Sequence, residues 1–153
     1  LAQDEWPIEA LNPDQRISRL KNRATECHAL HREHGDMSEK YRSFVRDGYS
    51  ALRSAWERTV THVFFGGVVV PFRKTVKTGR LKSVATNIRE EDCDRVTRAI
   101  RKCHGITSAH DQTGAERTML PSPAEFERDV KELDDFVKEI KTRSEEERVG
   151  SES

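Results

Sequence analysis

No run of about 18 apolar residues, the length a helix needs to cross a bilayer, occurs in this sequence. Its longest apolar stretch, Val63 to Phe72, is broken by Gly66 and Gly67. A membrane span and a membrane partner are therefore not expected. Cysteine is scarce: Cys27, Cys93 and Cys103 make an odd number, and no CxxC pair occurs. That composition argues against a disulfide framework and for a reducing, cytoplasmic compartment. Neither sign of charge is in excess, with 27 Lys and Arg against 27 Asp and Glu. Apolar residues are few as well, at 34%. Counting glycine lifts that share to about 39%, still under the usual ~45–50%. A thick core is thereby disfavoured, and long, narrow, solvated elements are favoured. Leu, Val, Ile and Phe nevertheless recur at regular spacing, which separates this composition from a disordered one.

Several chemical signatures are also missing. The sequence has no GxxxxGK[ST], GxGxxG, HExxH or GxSxG, and no dense acidic cluster suited to Mg²⁺. The segment by itself is not expected to bind a nucleotide in a P-loop or to be the core of a metal-dependent nuclease. No internal repeat is visible. The length of 153 residues corresponds to one domain, or two at most. The chain begins with Leu1 and no charged-then-apolar segment follows, so it reads as the tail of a longer polypeptide.

What is present is helical periodicity. Trp6-Pro7 and Asn12-Pro13 make an irregular lead-in, because each proline pushes its predecessor away from helix. From Asp14, Ile17, Leu20, Ala24, Cys27 and Leu30 repeat at three or four residues and form one apolar stripe. Gly35-Asp36 interrupts it. A second helix is predicted from about Ser38, its cap, to Phe64. Tyr41, Val45, Gly48, Leu52, Ala55, Thr59 and Val63 form its stripe, close to a heptad seam. Such a helix is roughly 40 Å long and calls for a partner. Gly66-Gly67 ends it. Val68 to Phe72 and Thr75 to Thr86 then suggest a small β-hairpin, with Pro71 confining its strand to an edge. A third helix is expected over Glu90 to Cys103, acidic in its first turn and basic in its last. A Gly/Ser/Thr-rich loop is expected from His104 to Ser122. The last helix has a sharp start: Ser122 caps, Pro123 takes the first helical position and Glu125 completes a capping box.

The expected fold is mainly α: long, coiled-coil-like helices plus a helical domain with a small β-hairpin. Three stretches divide it. Residues 1–37 are the lead-in and first helix, closing a longer coiled-coil or ATPase chain. Residues 38–143 are a helical module with the hairpin at about 66–86. Residues 144–153 are a disordered tail.

Charge is polarised along the chain. From Pro71 to His104 ten basic residues face four acids, leaving +6; from Glu116 onward twelve acids face seven bases, leaving −5. The basic stretch suits phosphate, or it is a solvated face that pairs with the acidic last helix. Three constellations could carry chemistry. Cys27, His28, His31 and His34 share helical spacing and donor types that suit zinc, or they are surface histidines beside a core thiol. Arg53 and Glu57, four apart, are a surface ion pair or half of a site beside Trp56. His110-Asp111 and His104 are loop histidines that could move protons near neutral pH, and Arg98 precedes His104 with five residues between them.

The string Tyr49 to Arg58, then Val68-Val69 and Phe72, then His110-Asp111-Gln112, then Pro121 to Leu133, resembles the C-terminal end of large bacterial P-loop ATPases. These are coiled-coil, SMC-like proteins of the RloC and PrrC type, and the resemblance spans about Tyr41 to Ile140. Some of that group carry an anticodon nuclease of the HEPN kind, an all-helical ribonuclease that needs no metal. The resemblance implies Arg53, Glu57 and His110 as catalytic residues, with His104 second to His110. Arg98 with His104 is similar to the spaced Arg…His motif of other HEPN proteins and forms an alternative set. It also implies RNA, in particular tRNA, held by Arg73, Lys74, Lys77, Arg80, Lys82, Arg95, Arg101 and Lys102. Further implications are a homodimer, no cofactor or metal in this segment, and ATP with Mg²⁺ in an ATPase domain upstream. The competing expectation is a non-catalytic helical module that binds a partner or nucleic acid.

Overall fold

The computed structural model describes residues 13–65, 88–108 and 119–152. Four helices account for nearly all of them: α1 Pro13–His34, α2 Glu39–Phe65, α3 Glu90–Ser108 and α4 Pro123–Glu152. The fold is mainly α, and no strand occurs among the described residues. The expected hairpin at 66–86 lies outside them.

Local chemistry sets the helix ends. Gly35 adopts φ 77°, and its N–H returns to the His31 carbonyl at 2.9 Å, closing α1 with a left-handed residue at little steric cost. Ser38 Oγ then accepts the Tyr41 N–H at 3.1 Å and caps α2. Ser122 Oγ does the same for the Glu125 N–H at 3.2 Å, with Pro123 at the first turn of α4. Both caps stand where the Ser-initiated pattern predicts them.

Two ends differ from the expectation. His104 does not open a loop, since α3 continues to Ser108. Ile106 extends the apolar face and packs against the core. The Thr107 and Ser108 hydroxyls bond back to the carbonyls of His104 and Gly105 at 3.1 and 3.3 Å, satisfying the last turn. The backbone of residues 144–152 continues as helix in α4.

Side-chain partners give the topology. Asp14, Lys21 and His28 of α1 meet Lys141, Asp134 and Glu127 of α4 in that order, so α1 and α4 are antiparallel. Tyr41, Tyr49 and Trp56 of α2 meet Pro121, Asp129 and Phe136, so α2 runs parallel to α4. Asp92, Arg95 and Lys102 of α3 meet Arg143, Glu139 and Asp129, so α3 opposes both. The result is an up-down-up-down bundle in which helices consecutive in the chain oppose one another, while α2 and α4 pack in parallel. α1 packs closely on α2 and α4, and α2 on α3; α3 keeps a wider separation from α4.

A single cluster forms the core. Ile17, Leu20, Ala24 and Cys27 of α1 join the α2 stripe Tyr41, Val45, Tyr49, Leu52, Ala55 and Trp56, and Phe126, Val130, Leu133 and Phe136 of α4. Helix α1 therefore belongs to the same core as the rest, and residue 37 does not divide two packing units. At Gly48 helix α2 packs tightly on α4: an added Cβ would lie 2.9 Å from Phe126 Cζ.

Candidate functional site

The antiparallel crossing of α2 and α3 sets Arg53 against His104. Arg53 Nε donates to Glu57 Oε1 at 3.0 Å, and Arg53 Nη1 donates to His104 Nδ1 at 3.0 Å. A guanidinium has only donors, so His104 Nδ1 must be the acceptor and the ring proton resides on Nε2. One guanidinium thus bridges a carboxylate one helical turn away and an imidazole from another helix. The set is open to solvent: the Arg53 side chain is 39% exposed and that of Glu57 52%. The extra turn of α3 is what places His104 here. His110, the histidine the resemblance puts first, lies outside the described residues.

Between α3 and α4 is a cleft of about 270 Å³. Leu52 and Cys103 line it, whereas their chain neighbours Arg53 and His104 do not. Tyr49 and Trp56 of α2 form the floor, Arg95, Arg98 and Lys102 one wall, and Asp129 and Glu132 the other. The two walls are tied together. Arg95 meets Glu132 at 3.0 Å and also Glu139, while its guanidinium sits 5.2 Å from the Phe136 ring centre. Lys102 Nζ lies 2.8 Å from Asp129 and 3.4 Å from Glu125. Burial works against the Lys102 charge, but hydrogen bonds and attraction from Asp129 and Glu125 outweigh it and hold its pKa above the ordinary lysine value.

Tyr49 donates to Asp129 Oδ2 at 2.6 Å. Burial, reinforced by that carboxylate, raises its phenol pKa. Cys103 is pushed up to about 12, by burial first and by Asp129 second. Its thiol is thus a packed hydrophobic group and not a nucleophile.

Arg98, of the alternative set, lines the cleft and makes no ion pair among the described residues. No hydrogen bond joins it to His104. Of the expected RNA-binding residues, Arg95 and Lys102 are engaged by α4 carboxylates, and Arg101 is exposed. Arg73, Lys74, Lys77, Arg80 and Lys82 lie outside the described residues. The pairing of the basic segment with the acidic last helix, one of two readings open in the sequence, accounts for Arg95 and Lys102.

The histidines of α1 diverge. Cys27 is in the core. His28 faces Glu127 at 2.9 Å, His31 contacts Asp36, and His34 stands 3.8 Å from Glu33. Among the described residues no group of three or more His, Cys, Asp or Glu side chains is gathered to hold a metal ion. No described helix is long and apolar enough to cross a membrane.

Sequence reasoning missed Asp129 and Glu132 as parts of a site. Their signal was weak but present: two acids at i and i+3 flanking the apolar Val130 and Leu133 of α4 must border the buried face. No known protein family, curated protein or solved structure matches this chain.

Proposed function

We propose that this helical bundle is a metal-independent endoribonuclease module whose reacting groups are Arg53, Glu57 and His104. The observation that supports it is the bridge by which Arg53 joins Glu57 and His104. In the free protein Arg53 occupies the Nδ1 lone pair of His104. An RNA phosphate attracts the guanidinium more strongly than a neutral imidazole does, so substrate draws Arg53 onto its oxygens and frees Nδ1. The imidazole then takes the proton of the 2′-hydroxyl. The 2′-oxygen attacks phosphorus, the bond to the 5′-oxygen breaks, and the imidazolium returns its proton to that leaving oxygen. The products are a 2′,3′-cyclic phosphate and a 5′-hydroxyl. Arg53 offsets the charge growing on the phosphoryl oxygens, and Glu57 keeps Arg53 oriented. The resemblance adds tRNA as the substrate class, a homodimer, a coiled-coil connection and an upstream P-loop ATPase as the controlling unit. His110 remains the competing proton carrier.

The test is cleavage of a tRNA pool in EDTA by the wild type, Arg53→Ala, Glu57→Ala, His104→Ala and His110→Ala. Loss in Arg53→Ala, Glu57→Ala and His104→Ala with native circular dichroism is the expected outcome. Wild-type cleavage in His104→Ala together with loss in His110→Ala transfers the proton role. Activity that disappears with the chelator defeats the metal-independent chemistry.

A second reading is favoured by the α3–α4 ion pairs. With Arg95 and Lys102 engaged internally, the bundle also suits a non-catalytic interaction module. RNA or partner binding that survives in all four variants, with no cleavage by the wild type, would identify that function.

A further inference from the structure

The α3–α4 cleft keeps hydrogen-bonding capacity that the protein itself does not use. Asp129 Oδ2 takes both Tyr49 and Lys102, and Glu132 Oε1 takes Arg95. Among the described residues nothing bonds to Asp129 Oδ1 or Glu132 Oε2, although a carboxylate has about four acceptor positions. Across from them Arg98 makes no ion pair among the described residues. These groups converge on a cleft with an apolar, aromatic floor. Its volume of about 270 Å³ lies just under the ~300–1,000 Å³ of sites for drug-sized molecules, so the occupant is a single ring system and not a dinucleotide.

From these features we infer that the cleft is a guanine-binding site. The inference goes beyond the nuclease reading above and does not depend on it. The ligand must offer hydrogen-bond donors on one side, toward the carboxylates, and acceptors on the other, toward Arg98. Guanine has N1–H and N2–H₂ adjacent on one edge, and O6 and N7 adjacent on the next. Arginine pairs readily with O6 and N7. Adenine has one amino group between two ring acceptors. Uracil has one donor between two carbonyls. Cytosine has one amino group beside two acceptors. None of these three presents two neighbouring donors to a carboxylate wall.

Binding of unphosphorylated nucleosides to the 153-residue chain, measured by calorimetry, probes the cleft apart from the chemistry. Guanosine is expected to bind about ten- to a hundredfold more tightly than adenosine, cytidine or uridine. Inosine, which lacks only the N2 amino group, is expected to fall between. This ligand-side comparison does not disturb the protein. Arg98→Gln removes the guanidinium from a residue without an ion pair among the described residues and is expected to abolish most of the preference while leaving the unfolding midpoint unchanged. Equal affinity for all four nucleosides, or selectivity retained in Arg98→Gln, overturns the inference. RNA cleavage without base preference and without guanosine binding overturns it and leaves the nuclease standing. Selective guanosine binding with no RNA cleavage supports the site and removes the nuclease.

Discussion

Replacing Gly48 with alanine sets two effects of known size against each other. Gly48 lies mid-way along α2, where Gly→Ala ordinarily stabilises a helix by about 1 kcal/mol. Here the new Cβ would stand 2.9 Å from Phe126 Cζ and 3.3 Å from Cε2. Carbon atoms prefer about 3.5–4.0 Å, so the ring must retreat by roughly half an ångström or more. It has little room to do so. Phe126 is 1% exposed, and its ring lies 5.1 Å from that of Tyr49, which is itself anchored on Asp129. Overpacking of this kind costs about 1–3 kcal/mol. The net expectation is a loss of up to about 2 kcal/mol, with strain passed to the Tyr49–Asp129 bond in the cleft. Gly105→Ala is the control: that glycine is also helical, but nothing lies within 4 Å of its added Cβ, so only the propensity gain remains. Urea unfolding of both variants isolates the steric cost, because the helix gain is common to them. Gly48→Ala should be less stable than Gly105→Ala by about 1–3 kcal/mol at an unchanged denaturant slope. If Gly48→Ala is as stable as Gly105→Ala, the close α2–α4 packing described above is wrong.

Three further outcomes are expected. A maleimide reagent should label one thiol in the native protein, the exposed Cys93, and three after denaturation, because Cys27 and Cys103 are buried; native labelling of three would show an open bundle. The Asp92 carboxyl is held below its ordinary pKa: burial opposes the charge, but Arg143 and the Arg89 N–H outweigh it. Its stabilisation is present above the unfolded value of about 3.9 and lost as pH falls through the lower folded value. Asp92→Asn should therefore cost about 3 kcal/mol at pH 7 and flatten the acid limb of a stability–pH curve; an unchanged limb refutes the assignment. Arg53→Ala should lower stability by no more than about 0.5 kcal/mol, since it breaks only a solvent-exposed pair and its link to His104, so a large loss would mean that the reacting set is a structural contact.

The parts of the fold that were legible in the sequence are those that depend on neighbours in the chain. Ser38 and Ser122 act within their own first turns, Gly35 needs only its own φ, and the α2 stripe from Tyr41 to Thr59 repeats at helical spacing. The end of α3 was not legible. Gly105 followed by Ile106-Thr107-Ser108 has loop composition, but Ile106 is held by packing against a core that local pattern does not reveal. That one turn decides the location of His104. The pairing of His104 with Arg53 joins residues 51 positions apart and follows from bundle topology, to which spacing on one helix is blind. Asp129 and Glu132 were hidden for a related reason. The sequence allowed a general pairing of the basic segment with the acidic last helix, but not which of its acids meet Arg95 and Lys102.

The α3–α4 seam differs in kind from the rest of the bundle, and the difference bears on both functional readings. Elsewhere the helices share buried apolar side chains, which hold a fixed geometry over a wide range of salt, and the α1–α4 ion pairs at Asp14, Lys21 and His28 only flank that packing. Between α3 and α4 the contact is made largely by Arg95, Lys102 and Arg143 with carboxylates, around a cleft. Exposed ion pairs weaken as ionic strength rises, and a polyanion competes for the same cations. RNA phosphates drawn to Arg95 and Lys102 would displace Glu132 and Asp129, opening the cleft while leaving the Tyr49 and Trp56 floor in place. A bundle with three apolar seams and one polar seam can thus admit a charged ligand along one side without losing its core, as a binding module or a nuclease requires.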